Sequence, residues 1–282
     1  MDYIQAIVLA IVEGLTEFLP VSSTGHMVIA QALMGIESTD FVKAFTVMIQ
    51  LGAILSVVVL YFREFLRFEV PADLRDAPGF RRLLGRFRFY WLLAVGIIPA
   101  VVLGLLFDDW VDSVLGEVWI IALNLVIGGV IMLFIDNWVK RGEKKIVRYK
   151  DSFIIGLFQC IAMFLPGMSR SMSTIVGGMA VGLKRETAAE FSFFLAVPTM
   201  AGATVYELLK FMKSGDLHIL ADNWGLLLAG NAVAFVVALL AIKYFIGYVR
   251  KHSFRAFGVY RIIVGGVILL MMVSGVNLAL FQ

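Results

Sequence analysis

Read as a pattern of apolar and polar positions, the chain falls into long apolar runs separated by short polar or basic connections. A helix that crosses a bilayer needs about 20 mostly apolar residues. Six runs meet that: Ala44–Phe62, Phe89–Phe107, Val118–Ile135, Phe191–Leu209, Trp224–Ile242 and Ile262–Phe281. Four other apolar pieces come as two pairs: Tyr3–Leu19 with Gly25–Met34, and Phe153–Leu165 with Met172–Leu183. The first carries two glutamates and the other three are too short to cross. A polar turn breaks each pair, Pro20-Val-Ser-Ser-Thr24 in one and Pro166-Gly-Met-Ser-Arg-Ser171 in the other. Broken helices at membrane depth persist only where the freed backbone is buried in protein or lines a cavity. Both pairs are therefore expected to be re-entrant hairpins that enter and leave on one side. An ordinary spanning first helix is the rival for Tyr3–Leu19. A signal peptide fits poorly, because Asp2 stands where a basic residue belongs and no small-residue cleavage site follows.

Composition agrees with this pattern. Of 282 residues, 61% are hydrophobic and 16% charged, and the mean hydropathy is +0.92. A soluble chain is about half apolar and about a quarter charged, so a water-soluble or disordered protein is excluded. Cys160 is the single cysteine, which rules out an intramolecular disulfide. The net charge of +3 would suit a nucleic-acid partner only if it were clustered. Instead the basic residues sit between apolar runs, as juxtamembrane charges do. Arg63, Arg67, Arg75, Arg81, Arg82, Arg86 and Arg88 follow the first full span, and Lys140, Arg141, Lys144, Lys145, Arg148 and Lys150 the third. Lys184 and Arg185 follow the second hairpin, and Arg250, Lys251 and Arg255 the fifth span. The connection with Asp108, Asp109, Asp112 and Glu117 has no basic residue. Basic and non-basic connections alternate if both hairpins are re-entrant, the first from outside and the second from the cytoplasm, with both termini outside.

Sliding the chain by 146 residues lays Phe18-Leu-Pro20 on Phe164-Leu-Pro166, Ser23 on Ser169, Phe45 on Phe191 and Thr46 on Ser192. Each half reads as a hairpin plus three spans, and three is odd, so the second half is inverted. The expectation is an all-α polytopic membrane protein forming one domain over 1–282. Repeat one covers about 1–139, a cytoplasmic loop about 140–151, and repeat two about 152–282. Inverted repeats place their site near the midplane, where the broken helices meet.

The two turns supply the candidate chemistry. Glu13 and Glu17 share a helix face. Two carboxylates in an apolar segment are costly unless something cationic meets them or one is protonated, and a divalent metal such as Mg²⁺ or Ca²⁺ takes one or two of them plus phosphate oxygens. Ser22, Ser23 and Thr24 open the following half-helix, whose N-terminus is a ready anion site. His26 lies among them, whereas His218 and His252 sit in polar connections. Ser169, Arg170, Ser171 and Thr174 open the second half-helix. Arg170 has no acid nearby in sequence, so Glu13, Glu17 or a ligand phosphate must meet it. Gln159 aligns with Glu13 and is, with Gln50, a candidate for lining the cavity. Hydroxyls, a guanidinium and carboxylates suit phosphoryl transfer. The nucleophile stays open between Ser23 with His26 as its base, which is favoured, His26 itself, and water activated by a carboxylate.

Glu13-Gly-Leu-Thr-Glu17-Phe-Leu-Pro-Val-Ser-Ser-Thr-Gly-His26 and Pro166-Gly-Met-Ser-Arg170-Ser-Met-Ser-Thr174 resemble the two signature motifs of the undecaprenyl-diphosphate phosphatases of the bacitracin-resistance type. Glu190-Phe-Ser-Phe-Phe-Leu-Ala-Val-Pro198 is similar to a further family segment. The resemblance implies a bacterial inner-membrane hydrolase that removes one phosphate from C55 isoprenyl diphosphate and so recycles the lipid carrier of peptidoglycan synthesis. It also implies a divalent cation and a site open to the outer face. By motif position, Glu13 and Glu17 match the family's acidic pair, Ser23 and His26 its Ser and His, and Ser169, Arg170 and Thr174 its phosphate-binding segment. Met172-Ser173 depart from the usual Gly-Ala. A transporter or flippase of polyprenyl phosphates is the rival from another class, since inverted repeats and midplane charges serve transport too. The expected partners are the lipid substrate and the bilayer, and a homodimer is compatible with the sequence.

Overall fold

The computed structural model describes residues 1–68, 78–107, 117–139, 142–214 and 217–275. Asp108, Asp109, Asp112, Lys140, Arg141, Arg75 and the end of the last expected span lie outside them. Among the described residues the chain is all helical, with one isolated bridge between Lys144 and Leu183. The helices are α1 (Tyr3–Thr16), α2 (Ser23–Leu33), α3 (Asp40–Met48), α4 (Gln50–Leu60), α5 (Phe62–Phe65), α6 (Gly79–Arg86), α7 (Arg88–Leu106) and α8 (Val118–Trp138). Next come α9 (Tyr149–Phe164), α10 (Arg170–Ala180), α11 (Arg185–Ser214), α12 (Leu217–Asp222), α13 (Trp224–Lys251) and α14 (Arg255–Val273).

Six segments are long and apolar enough to cross a bilayer, and each overlaps an expected run: α3 with α4, α7, α8, α11, α13 and α14. The chain is a multi-pass membrane protein. Side chains such as Leu105, Leu106, Leu228, Tyr244 and Val273 stay bare on its perimeter, the surface lipid would cover. Helices α1, α2, α9 and α10 have 14, 11, 16 and 11 residues. At about 1.5 Å per residue the longest reaches only about 24 Å, short of the ~30 Å hydrocarbon core. Helix α1 stops at Thr16 and the chain turns through 17–22, so α1 is shorter than the six candidate spans.

Local chemistry explains the boundaries. Asp2 and Gln5 form a reciprocal capping box on α1, with Gln5 N–H donating to Asp2 at 2.8 Å and Asp2 N–H to Gln5 at 2.9 Å. Thr39 caps α3. Between spans the packing relies on small residues, because lipid is as apolar as leucine and gives no hydrophobic drive to associate. The crossing of α8 and α14 is built on Gly129 and Gly258: a Cβ on either would meet the other's carbonyl. Helix α9 lies against α7, where the Ser152 hydroxyl donates to the Leu92 carbonyl at 2.6 Å. Helix α1 lies against α13, and α11 against both α4 and α10. Near the basic connections, Asp136 ties three elements together by accepting from Arg185 Nε (2.7 Å) and from the Phe254 N–H (3.0 Å).

Candidate active site

The two turns that break the short helices meet inside the bundle. Each new helix starts behind a serine with φ of +72°, Ser22 before α2 and Ser169 before α10. Both serines cap the helix they precede: Ser22 accepts from the Gly25 N–H (3.4 Å) and Ser169 from the Met172 N–H (3.3 Å). A left-handed φ outside glycine is a strained choice that persists only where surroundings fix it, commonly at functional sites. The structural counterpart of Ser169 is thus Ser22, one place before the Ser23 given by the 146-residue offset. The second turn carries one extra residue between its proline and its capping serine.

That register puts Ser23 and Arg170 at matching places, each the first residue of its helix, and both reach the same carboxylate. The Ser23 hydroxyl donates to Glu17 Oε2 at 2.7 Å, and Arg170 Nη2 donates to Glu17 Oε1 at 3.2 Å. Arg170 also donates from Nη1 to the Ser192 carbonyl (3.1 Å), while its Nε is buried without a partner. Glu13, one turn before Glu17, is 1% exposed, and its Oε1 has no hydrogen-bond partner. His26 turns away from Ser23. Its Nδ1 lies 2.7 Å from the Ser22 carbonyl and its Nε2 2.7 Å from the Tyr260 hydroxyl, with the two rings stacked. A carbonyl can only accept, so Nδ1 carries the proton and the neutral ring accepts from Tyr260 through Nε2.

A hydroxyl on a carboxylate, beside a guanidinium with an unspent N–H, has the chemistry to serve as nucleophile, base and phosphate clamp in one place. The model of the family described as bacitracin resistance protein BacA matches residues 6–267. The chain belongs to the BacA family. An undecaprenyl-diphosphatase of Porphyromonas gingivalis is 57% identical over 280 residues, covering 99% of this chain and all of the relative. Similar proteins of that name come from Flavobacterium psychrophilum (52% over 270 residues, 96% of each chain) and Lactococcus lactis subsp. cremoris (42% over 279 residues, 96% and 97%).

In this BacA-family chain the remaining expected site residues divide sharply. Ser171 is fully buried and donates to the Leu19 carbonyl at 2.8 Å, tying the second turn to the first. Thr174 is buried against the Arg170 carbonyl (2.9 Å), the Ser171 carbonyl (3.1 Å) and the Ser192 hydroxyl (2.6 Å). Ser169 is held by its own cap and by Ser171 Oγ at 3.3 Å. These hydroxyls brace the turn. Thr24 lies partly exposed on the first turn of α2, with no side-chain hydrogen bond among the described residues. Gln159 is buried on α9, near Thr199 (3.4 Å) on α11, with its Nε2 unpartnered. Gln50 opens α4 and is partly buried. Neither glutamine hydrogen-bonds to Glu17 or Ser23. Met172 is buried in the core and α10 runs regularly through it, so the departure from Gly-Ala leaves the backbone intact. Ser192, Tyr260 and Arg261 join the site from outside the two sequence motifs. Only Ser192 leaves a trace in the sequence, as the partner of Thr46 in the repeat.

Proposed function

We propose that the chain is an integral-membrane phosphatase that hydrolyses undecaprenyl diphosphate to undecaprenyl phosphate and inorganic phosphate. The reading is carried by the Glu17 carboxylate, which accepts from the Ser23 hydroxyl on one oxygen and from Arg170 on the other. The relatives named for this hydrolysis, aligned end to end, supply the substrate class. The transporter reading gains nothing from them.

The diphosphate enters headgroup first, and its terminal phosphate draws Arg170 partly away from Glu17, meeting the free Nε. Glu17 takes the Ser23 proton as Oγ attacks the terminal phosphorus. The new Ser–O–P bond forms, the anhydride P–O bond breaks with its electron pair on the bridging oxygen, and Glu17 returns the proton to that oxygen. Water then attacks the phosphoserine, giving its proton to Glu17, which reprotonates the departing Ser23 oxygen. The base assignment shifts in this proposal from His26 to Glu17, because both His26 nitrogens are engaged, with the Ser22 carbonyl and with Tyr260, while Glu17 already accepts from Ser23. His26 acts on the turn.

No group of three His, Cys, Asp or Glu side chains gathers among the described residues. A metal site here has only the adjacent Glu13 and Glu17 to offer. That suits Mg²⁺, which completes its shell with phosphate oxygens and waters, and the orphaned Glu13 Oε1 is the oxygen left for it. A divalent cation on this pair would offset the negative charge of the transferring phosphoryl group.

The architecture we infer is two inverted repeats of a re-entrant hairpin and three spans. The short helices, the paired φ of Ser22 and Ser169, and the packing of α1 on α13 and α9 on α7 at matching places in the two halves support it. Together with family membership and the positive-inside rule, it supports our reading of a bacterial inner-membrane protein with its site outward and both termini outside. Recycling of the lipid carrier for peptidoglycan synthesis and resistance to bacitracin would follow.

The test is phosphate release from a polyprenyl diphosphate by purified protein in detergent, with Glu17→Gln and an EDTA-treated sample alongside. Release that vanishes in both is the expected result. Release surviving exhaustive chelation would remove the metal, and none from folded wild type would overturn the phosphatase. A labelled phosphoenzyme trapped in the wild type but absent in Ser23→Ala identifies the nucleophile; label on His26 would overturn that assignment.

A further inference from the structure

Arg261 lies inside α14 and is completely buried, yet no carboxylate meets it among the described residues. Its guanidinium is spent on backbone carbonyls. Nη1 donates to Pro20 (3.2 Å), and Nη2 donates to Gly167 (2.9 Å) and to Asn124 of α8 (3.2 Å), while Nε has no partner. Pro20 belongs to the first turn and Gly167 to the second. Both carbonyls are freed because a helix breaks there, and at membrane depth a freed carbonyl needs a donor from elsewhere in the protein. One planar, always charged fork therefore bridges the two turns that carry Ser23 and Arg170. Space for it is built in. Gly128 of α8 faces the guanidinium, where a Cβ would overlap Nη2 and Cζ. Asn124 donates to the neighbouring Pro166 carbonyl at 2.8 Å, so α8 holds the second turn from the other side. Next to Arg261, Tyr260 holds His26 and, through it, the Ser22 carbonyl.

An unpaired buried cation is among the costlier things a protein can contain. A purely structural hold on a turn can be made by a neutral amide, as Asn124 makes on the Pro166 carbonyl. We propose that Arg261 is a positioning residue for the phosphatase reaction: its guanidinium sets the separation of the two turns, and hence of the Ser23 nucleophile from the Arg170 phosphate clamp. The role rests on the proposed phosphatase function for its kinetic reading but not for its geometry. Lysine keeps the charge but, as a point donor on a different stem, cannot span both turns in the same fork.

The experiment compares wild type with Arg261→Lys by two readings. The first is steady-state hydrolysis of a polyprenyl diphosphate in detergent, with a thermal melt to confirm folding. The second is the distance distribution between nitroxide labels on Leu33→Cys and Leu165→Cys, at the far end of α2 and at the end of α9, in a Cys160→Ser background. Expected in Arg261→Lys are a fall in kcat of about 30-fold or more, KM within about threefold of wild type, and a broadened label distance; misplacing reacting groups by about 1 Å can cost about 10²-fold in rate. Wild-type kcat, a rise in KM alone, or an unchanged distance distribution would each overturn the positioning role. If Arg261→Lys does not fold, Gly128→Ala crowds the guanidinium while keeping it, and the same two readings apply with kcat down about fivefold. Unaltered kcat and distance in folded Gly128→Ala overturn the proposal as well. Inactive wild type would sink the phosphatase reading, and the label distance would still decide the clamp.

Discussion

The two turns are built alike and equipped differently. Each breaks a pair of short helices, places a serine at φ +72° and opens a new helix on the next residue. In the first turn that residue is Ser23, whose hydroxyl rests on a carboxylate; in the second it is Arg170, whose guanidinium rests on the same one. Beyond it on the first helix, Thr24 has no partner among the described residues and His26 is held only from Ser22 and Tyr260, while Glu13 on α1 keeps an unsatisfied oxygen. The second helix is laced. Ser169, Ser171 and Thr174 each have partners, on Met172, Leu19 and Ser192. In the proposed mechanism one turn reacts and the other holds, so equivalent positions need not carry equivalent residues.

The largest effect that tests this division is at Ser23. Ser23→Ala removes the attacking oxygen while leaving the carboxylate–guanidinium pair in place. Turnover of polyprenyl diphosphate should fall by about 10⁴-fold or more, as loss of a nucleophile does elsewhere. A drop of less than about tenfold would move the attack to water and make both turns holders. Arg170→Ala comes next, at about 10²–10³-fold, the usual cost of one preorganised electrostatic donor. It also strips Glu17 of its buried partner, which can cost about 3–5 kcal/mol of stability, so the rate is to be read on folded protein. Arg170→Lys should recover part of it. A loss below about tenfold in folded Arg170→Ala would reduce the pair to a structural salt bridge.

Much of this can be read from the chain, and the remainder is hidden for physical reasons. The spans are legible because hydrocarbon thickness imposes length: the run starting at Val118 and the one around Phe89–Phe107 match α8 and α7 within three residues at either end. The short pairs are legible from their broken apolar runs. The chemistry is legible as an inventory, but contacts are not. Ser23 and His26 are three apart on one helix, which suggests a pair. A helical side chain leans back toward its own N-terminus, and His26 reaches past Ser23 to the Ser22 carbonyl. Arg261 escapes for a different reason. It stands just before the last expected run, which starts at Ile262, and so draws no attention, whereas α14 begins six residues earlier and buries it. No pattern of apolar positions marks a cation whose partners are backbone carbonyls, since backbone carries no sequence signal. Ser192 is marked by the repeat and by the family segment, but its role is not, because it serves through its carbonyl as well as its hydroxyl.

His26 sharpens the comparison at an intermediate size. If it holds the Ser22 carbonyl through Nδ1, His26→Asn, which can place an N–H near that nitrogen, should lose about tenfold in kcat, and His26→Gln about 10²-fold. The reverse order would show that Nε2 is the working nitrogen. Should both variants fall as far as Ser23→Ala, His26 takes part in proton transfer, for which about 10²–10⁴-fold is expected.

The smallest effect on rate belongs to the holding turn. Thr174→Val keeps shape and volume but removes the hydroxyl that sits against the Arg170 and Ser171 carbonyls and the Ser192 hydroxyl. The Ser192 hydroxyl is then buried without its nearest side-chain partner, a loss of about 1–3 kcal/mol. For a chain of this length that corresponds to a melting temperature lower by about 2–4 °C per kcal/mol. Arg170 itself stays anchored on the Ser192 carbonyl and Glu17, so kcat in detergent at moderate temperature should stay within about threefold of wild type. The resemblance that assigns Thr174 to phosphate binding expects the opposite: an intact melt and a KM raised by an order of magnitude or more. A melt and a KM on the same preparation separate the two, because a hydroxyl turned into the protein can weaken the turn but has no hydrogen to offer a phosphate.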